Sequence, residues 1–162
     1  MTKTVWRIVT QRFVVSAFSG EGARLFGGRW NRKGESVIYT AQSRSLAFLE
    51  MLVQDEPLRA SYLLIPVGIP GDIARRVIDS RQLPENWRTL EGRETLRELG
   101  SQWLRDGTSC VLDVPSTIIP AEHNLLLNPA HIDFARIEIG QPETLESDLR
   151  LMRNLSESKN TR

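Results

Sequence analysis

Apolar and β-branched residues gather in five short runs, at 4–9, 36–41, 61–67, 110–114 and 134–139, and each run predicts a β-strand. Two longer stretches carry the helical period instead. In 43–54, Ser43 is suited to cap the N-terminus, Leu46, Leu49 and Val53 form the buried stripe, and Pro57 stands just past the end. Glu50 falls at the margin of that stripe, inside an otherwise apolar run of eight residues. In 92–105, Leu96, Leu99 and Trp103 recur at helical spacing before an Asp106-Gly107 stop. Helices and strands do not alternate in a βαβ rhythm, and prolines at 57, 66, 70, 84, 115, 120 and 129 fall mostly at or past element ends. This order predicts an α+β fold of mixed, mainly antiparallel sheets with flanking helices. Residues 1–142 read as one domain, and 143–162 as a polar C-terminal segment that frays beyond Leu155.

Composition narrows the class. With 40% hydrophobic and 25% charged residues the chain has the profile of a soluble globular protein, and 162 residues can bury a core without disulfide or metal support. Cys110 is the single cysteine, which rules out an internal disulfide and makes a reducing cytoplasm the expected compartment. No signal-peptide core opens the chain, and its uncharged stretches are too short and proline-interrupted to span a bilayer. A net charge of +1 gives no general attraction to nucleic acid. Residues 1–50, however, hold eight Lys/Arg against three acids. Such an excess can attract phosphate or reflect the ordinary fluctuation of charge along a chain.

Several kinds of chemistry lack their residues. His123 and His131 have no cysteine near them in sequence, so no zinc spacing exists, and no metal is expected. Neither a phosphate loop nor a dinucleotide fingerprint is present. Ser116, His123 and Asp113 could be written as a triad, but nothing in their spacing brings them together. Three features remain. Arg29 follows Gly27-Gly28 and precedes Trp30, where it could grip a phosphate or sit on a turn as an ordinary surface arginine. Glu50 in its apolar surroundings reads equally as a functional carboxylate or as half of a structural ion pair. Ser116 follows a proline off an apolar strand, and Asn124 and Asn128 flank a leucine run, positions that suit ligand contacts but also simple turns.

Taken in order, G-x-G-A-R-x-x-G-G-R-W-N-x-x-G-x-x-V-I-Y-T-A, S-x-S-L-A-x-L-E-x-L-V and V-P-S-x-I-x-P-x-E-x-N-x-L-L-N-P-x-H resemble the motifs of the RES-domain family, over nearly the whole span from Trp6 to Ile139. Arg29, Glu50 and Ser116 match the Arg, Glu and Ser that name it, and Tyr39 matches its tyrosine. The resemblance implies an ADP-ribosyltransferase-like fold, with 1–142 as the catalytic domain and NAD⁺ as substrate rather than as a prosthetic group. It also implies a bacterial toxin that cleaves the nicotinamide–ribose bond and passes ADP-ribose to water or phosphate. A mono-ADP-ribosyltransferase acting on a cellular protein is the alternative, and a non-enzymatic nucleotide- or RNA-binding module a more distant one. The implied partner is a cognate Xre-like helix-turn-helix antitoxin, with no direct DNA or membrane binding by this chain, and a homodimer or larger toxin–antitoxin complex stays open. Within that frame, Glu50 stabilises the developing ribosyl cation, Arg29 after its glycines holds the pyrophosphate, and Tyr39 stacks on the nicotinamide or its ribose. Ser116 hydrogen-bonds the substrate, and Arg7, Trp30, Asn31 and Asn124 line the pocket.

Overall fold

The computed structural model describes residues 1–54 and 61–146; the stop expected at Pro57 and the fraying expected beyond Leu155 lie outside them. The first strand, β1 (Thr2–Thr10), alternates Val5, Arg7 and Val9 with Trp6 and Ile8, so it serves two different cores. A 3-10 turn (Gln11–Ser16) and the short α1 (Glu21–Phe26) lead to β2 (Ile38–Ala41) and α2 (Arg44–Gln54). Then follow β3 (Tyr62–Pro70), β4 (Arg75–Val77), α3 (Arg93–Asp106), β5 (Val111–Pro115), β6 (His123–Leu127), β7 (Glu138–Ile139) and β8 (Glu143–Thr144). They form one sheet in the order β4-β5-β6-β2-β1-β3-β7, with β8 also paired to β3. β4 and β5 run parallel, and every other pair among the described residues is antiparallel.

Both long helices lie over the face that carries Trp6, Tyr39, Ala41, Leu112 and Leu126. α2 sets Leu46 and Ala47 on Ala41 and Leu64, whereas α3 buries Leu96 and Trp103 against Leu112, Val114 and Leu126. Each such side chain taken from water contributes about 1.5–3 kcal/mol. The Trp103 indole donates to Ser109 O and Oγ, both at 3.1 Å, so the ring carries no unmet polar cost. On the opposite face Val5, Ile38, Val67, Val111, Leu125 and Leu127 close a second core with Ile137, Phe134 and Phe18.

Several expectations need correction. The run at 134–139 is a strand only at Glu138–Ile139, because the His131 imidazole accepts from Asp133 N at 3.1 Å and starts a 3-10 turn (Ile132–Arg136) instead. Pro66 lies inside β3, opposite Trp6, rather than at an end; its carbonyl accepts from Gly140 N beyond β7. Glu143 and Thr144, expected to begin the polar segment, pair with β3. On α2 the buried row is Leu46 and Ala47, and Val53 is 64% exposed. The helix rests on the sheet by its first turns only and then overhangs a cavity, so its inward row continues as Glu50, Met51 and Gln54.

Candidate active site

Ser43 caps α2, accepting from Leu46 N at 3.1 Å, and two turns further on the helix delivers Glu50 above the ends of β5 and β6. Asn124 of β6 stands beside Val114 and Ala41 on the same sheet face and donates to Glu50 Oε1 at 2.6 Å. Ser116, just past β5, donates to the same oxygen at 2.8 Å. Its own oxygen accepts from Ile118 N and Ile119 N at 3.1 and 3.3 Å, and the residue is fully buried. Thus Ser116, expected to touch substrate, stands behind the glutamate with its hydrogen-bonding capacity spent on orienting it. Among the described residues Glu50 Oε2 has no partner. Asp113 and His123 do meet, at 2.6 Å, but Ser116 belongs to Glu50, so no triad forms.

The glycine-rich stretch is organised by Tyr39. Its hydroxyl donates to Asn31 Oδ1 at 2.6 Å and accepts from Trp30 N at 3.1 Å, and burial pushes its pKa well above the usual phenol value. Asn31 is wholly buried and its amide donates to the carbonyls of Ala23, Arg32 and Glu35. Trp30 is buried in the core under α3. Both were expected to line the pocket; neither is among the residues lining the cavity that α2 overhangs, and both fix the loop. A Cβ on Gly28 would come within 2.6 Å of the Tyr39 hydroxyl and 2.7 Å of Asn31 Oδ1. That glycine therefore makes room for the Tyr39 hydroxyl and the Asn31 amide oxygen. Gly27 adopts a φ of +71°, the left-handed region that favours glycine.

From this fixed loop Arg29 projects half-buried. Among the described residues its guanidinium has no hydrogen bond or ion pair. Burial lowers its pKa first and the charge of Arg93 next, while Glu50 pulls the other way. The rest of the N-terminal positive excess is largely committed: Arg24 pairs with Glu21, Arg44 stacks over Trp6, and Arg32 pairs with Glu94 and Glu98. Arg97 of α3 donates to Gly28 O at 3.1 Å, a contact that no local pattern could reveal because the two residues lie 69 positions apart.

The cavity opens where the sheet splits. β1 and β2 pair only at Trp6 and Ala41, and beyond that point they part. Arg7 spans the gap, donating to Tyr39 O at 2.9 Å and Ala17 O at 2.7 Å, and burial lowers its pKa to about 10. The space measures about 650 Å³, within the range of small-molecule sites. Its walls include Arg7, Tyr39, Glu50 and Asn124, together with Trp6, Phe13, Leu25 and Met51. Arg29 and Ser116 stand outside the lining itself. Among the described residues no group of three or more His, Cys, Asp or Glu is placed to hold a metal ion, and no helix is long and apolar enough to cross a membrane.

A mainly antiparallel sheet, split over a cavity and flanked by two helices on one face, defines an ADP-ribosyltransferase-like α+β fold. Its backbone superposes on a chain of the Mycobacterium tuberculosis MbcT-MbcA toxin-antitoxin complex with a TM-score of 0.75, at 21% identity, covering 90% of this chain and 85% of that one. The chain belongs to the RES domain family, whose model matches residues 4–148. It is 40% identical over 150 residues to "Toxin Res" of Yersinia enterocolitica, covering 91% of this chain and 98% of that protein. It is also 35% identical over 159 residues to the "Prs ADP-ribosylating toxin" of a Sphingobium strain, covering 94% and 99%.

Proposed function

We propose that this protein is the toxin of a toxin–antitoxin pair and that it consumes NAD⁺, cleaving the nicotinamide–ribose bond and passing ADP-ribose to water or phosphate. The observation that carries this reading is Glu50: one carboxylate oxygen fixed by Ser116 and Asn124, the other unpartnered, on the wall of a cavity of ligand size. Departure of nicotinamide leaves positive charge on the ribose, and the ring nitrogen, already cationic, needs no general acid. A single fixed carboxylate is then sufficient: Oε2 accepts from a ribose hydroxyl and stabilises the oxocarbenium-like state without reorganising. The Tyr39 ring forms the wall against which the nicotinamide or its ribose packs, while Arg29, unpartnered and close enough to Glu50 to feel its charge, holds the diphosphate. Ser116 and Asn124 act as positioning residues. The partner is an Xre-like helix-turn-helix antitoxin; the likeness to a toxin–antitoxin complex supports a proteinaceous inhibitor.

The Sphingobium relative, by its name, favours a second reading in which a protein accepts the ADP-ribose. Incubating the purified protein with NAD⁺, with and without inorganic phosphate and with cell extract, separates them by mass spectrometry. Free ADP-ribose or its phosphorylated form supports the first reading, and a modified polypeptide the second. Intact NAD⁺ in every arm would contradict both.

A further inference from the structure

Among the described residues most arginines have a visible occupation: Arg24, Arg32, Arg44, Arg75, Arg76, Arg81, Arg105 and Arg136 pair with carboxylates, Arg7, Arg88 and Arg97 donate to backbone carbonyls, and Arg12 lies over the Phe13 ring. Two do not. Arg29 has no hydrogen bond or ion pair among the described residues, and Arg93, in the first turn of α3, has its Nε buried without a partner. The two belong to surfaces in direct contact. The backbone of Gly100 lies against Trp30 O, so close that a Cβ there would overlap it at 1.6 Å. One turn back, Arg97 Nε donates to Gly28 O at 3.1 Å. A further turn back along the same helix face brings Arg93, whose charge, after burial, lowers the pKa of Arg29. Two half-buried guanidiniums of like charge, one with a buried donor unmet, are unfavourable for the fold. An anion between them would recover that cost.

We infer that Arg93 is a second anion-binding residue that closes with Arg29 on a phosphate group of the ligand. The inference rests on the NAD⁺ reading only for the identity of that ligand. The phosphate could come from the diphosphate of the dinucleotide or from inorganic phosphate as acceptor; both present the same oxygens to a guanidinium fork.

Binding of ADP-ribose, inorganic pyrophosphate and inorganic phosphate to wild type, Arg29→Gln, Arg93→Gln and Arg93→Lys, by calorimetry and by ligand-induced change in Tm, tests the inference without requiring turnover. Arg93→Gln is expected to weaken pyrophosphate binding about tenfold or more, with Arg93→Lys intermediate and a salt dependence smaller than that of wild type. Its Tm without ligand is expected to hold or rise, whereas a merely structural arginine would leave it lower. Tighter binding of ADP-ribose than of phosphate assigns the clamp to the dinucleotide, and the reverse assigns it to the acceptor. Pyrophosphate affinity unchanged in Arg93→Gln, or no anion binding by wild type, overturns the inference. Anion binding lost with Arg93 in a protein that leaves NAD⁺ intact would retain the clamp and remove the proposed reaction.

Discussion

Ser116 and Glu50, 66 residues apart, are joined by a 2.8 Å hydrogen bond in which the serine donates and two backbone amides hold the serine in turn. The carboxylate on which the proposed chemistry rests is thus aimed from behind by a buried residue. Removing the hydroxyl in Ser116→Ala takes one donor away from Glu50 Oε1 and leaves the amides of Ile118 and Ile119 without their acceptor. We expect a kcat lower by about 10- to 100-fold with a smaller change in KM, and about 1–3 kcal/mol of lost stability. Nicotinamide-release kinetics with a denaturation curve checks both. Asn124→Asp sets a second carboxylate against Glu50 and should be more damaging to kcat than Asn124→Ala.

Tyr39→Phe keeps the cavity wall and deletes the bond that ties Trp30 N and Asn31 Oδ1 together. It should cost about 1–3 kcal/mol and lower activity through a loosened Arg29. The pH dependence has a definite sign. The folded protein keeps this buried phenol protonated, while the unfolded chain ionises near pH 10. Above about pH 10 the unfolded state therefore binds fewer protons, and stability falls as pH rises. Tm measured from pH 7 to 11 should fall less steeply in Tyr39→Phe.

Two glycines should prove indispensable for steric reasons. Gly28→Ala collides with the Tyr39 hydroxyl and should abolish NAD⁺ consumption while lowering Tm. Gly100→Ala overlaps Trp30 O within α3 and should yield little folded protein. Gly22→Ala, which meets nothing within 4 Å, should leave Tm unchanged or slightly higher. Expression yield and thermal denaturation of the three decide the matter.

Arg7 holds the split sheet open in a fixed shape. Arg7→Met leaves the carbonyls of Tyr39 and Ala17 without their donor. It should cost about 2–4 kcal/mol, read as a Tm loss of several degrees or more.

β1, β2, β3 and β5 were legible in the sequence because valine, isoleucine and threonine mark them as strands even where both faces are buried, as in β5, and the two long helices because each turns a periodic apolar stripe to the core. β6 was not: its Leu125, Leu126 and Leu127 are buried on both faces, so no alternation marks it, and it lacks β-branched residues. α1, six residues with none buried, had no stripe to read. The motif order named Arg29, Tyr39, Glu50, Ser116 and Asn124, but residue type alone could not say which atoms they spend on one another. Ser116 and Asn31 read as ligand contacts because polar residues in such places suit either role; only burial shows that both face inward. Arg93 and Arg97 look like surface charges of an amphipathic helix until the loop they face, more than 60 residues earlier, is in place.

Glu50→Gln tests the central claim most directly. The amide oxygen can still accept from Ser116 and Asn124, so the fold should be kept, while the negative charge opposite the ribose is lost. Nicotinamide released from NAD⁺ by purified, antitoxin-free protein is the measurement. The account predicts steady release by wild type and a fall of about 10²- to 10³-fold or more in Glu50→Gln at unchanged Tm. Release by the variant at the wild-type rate, or none by the wild type, would contradict it.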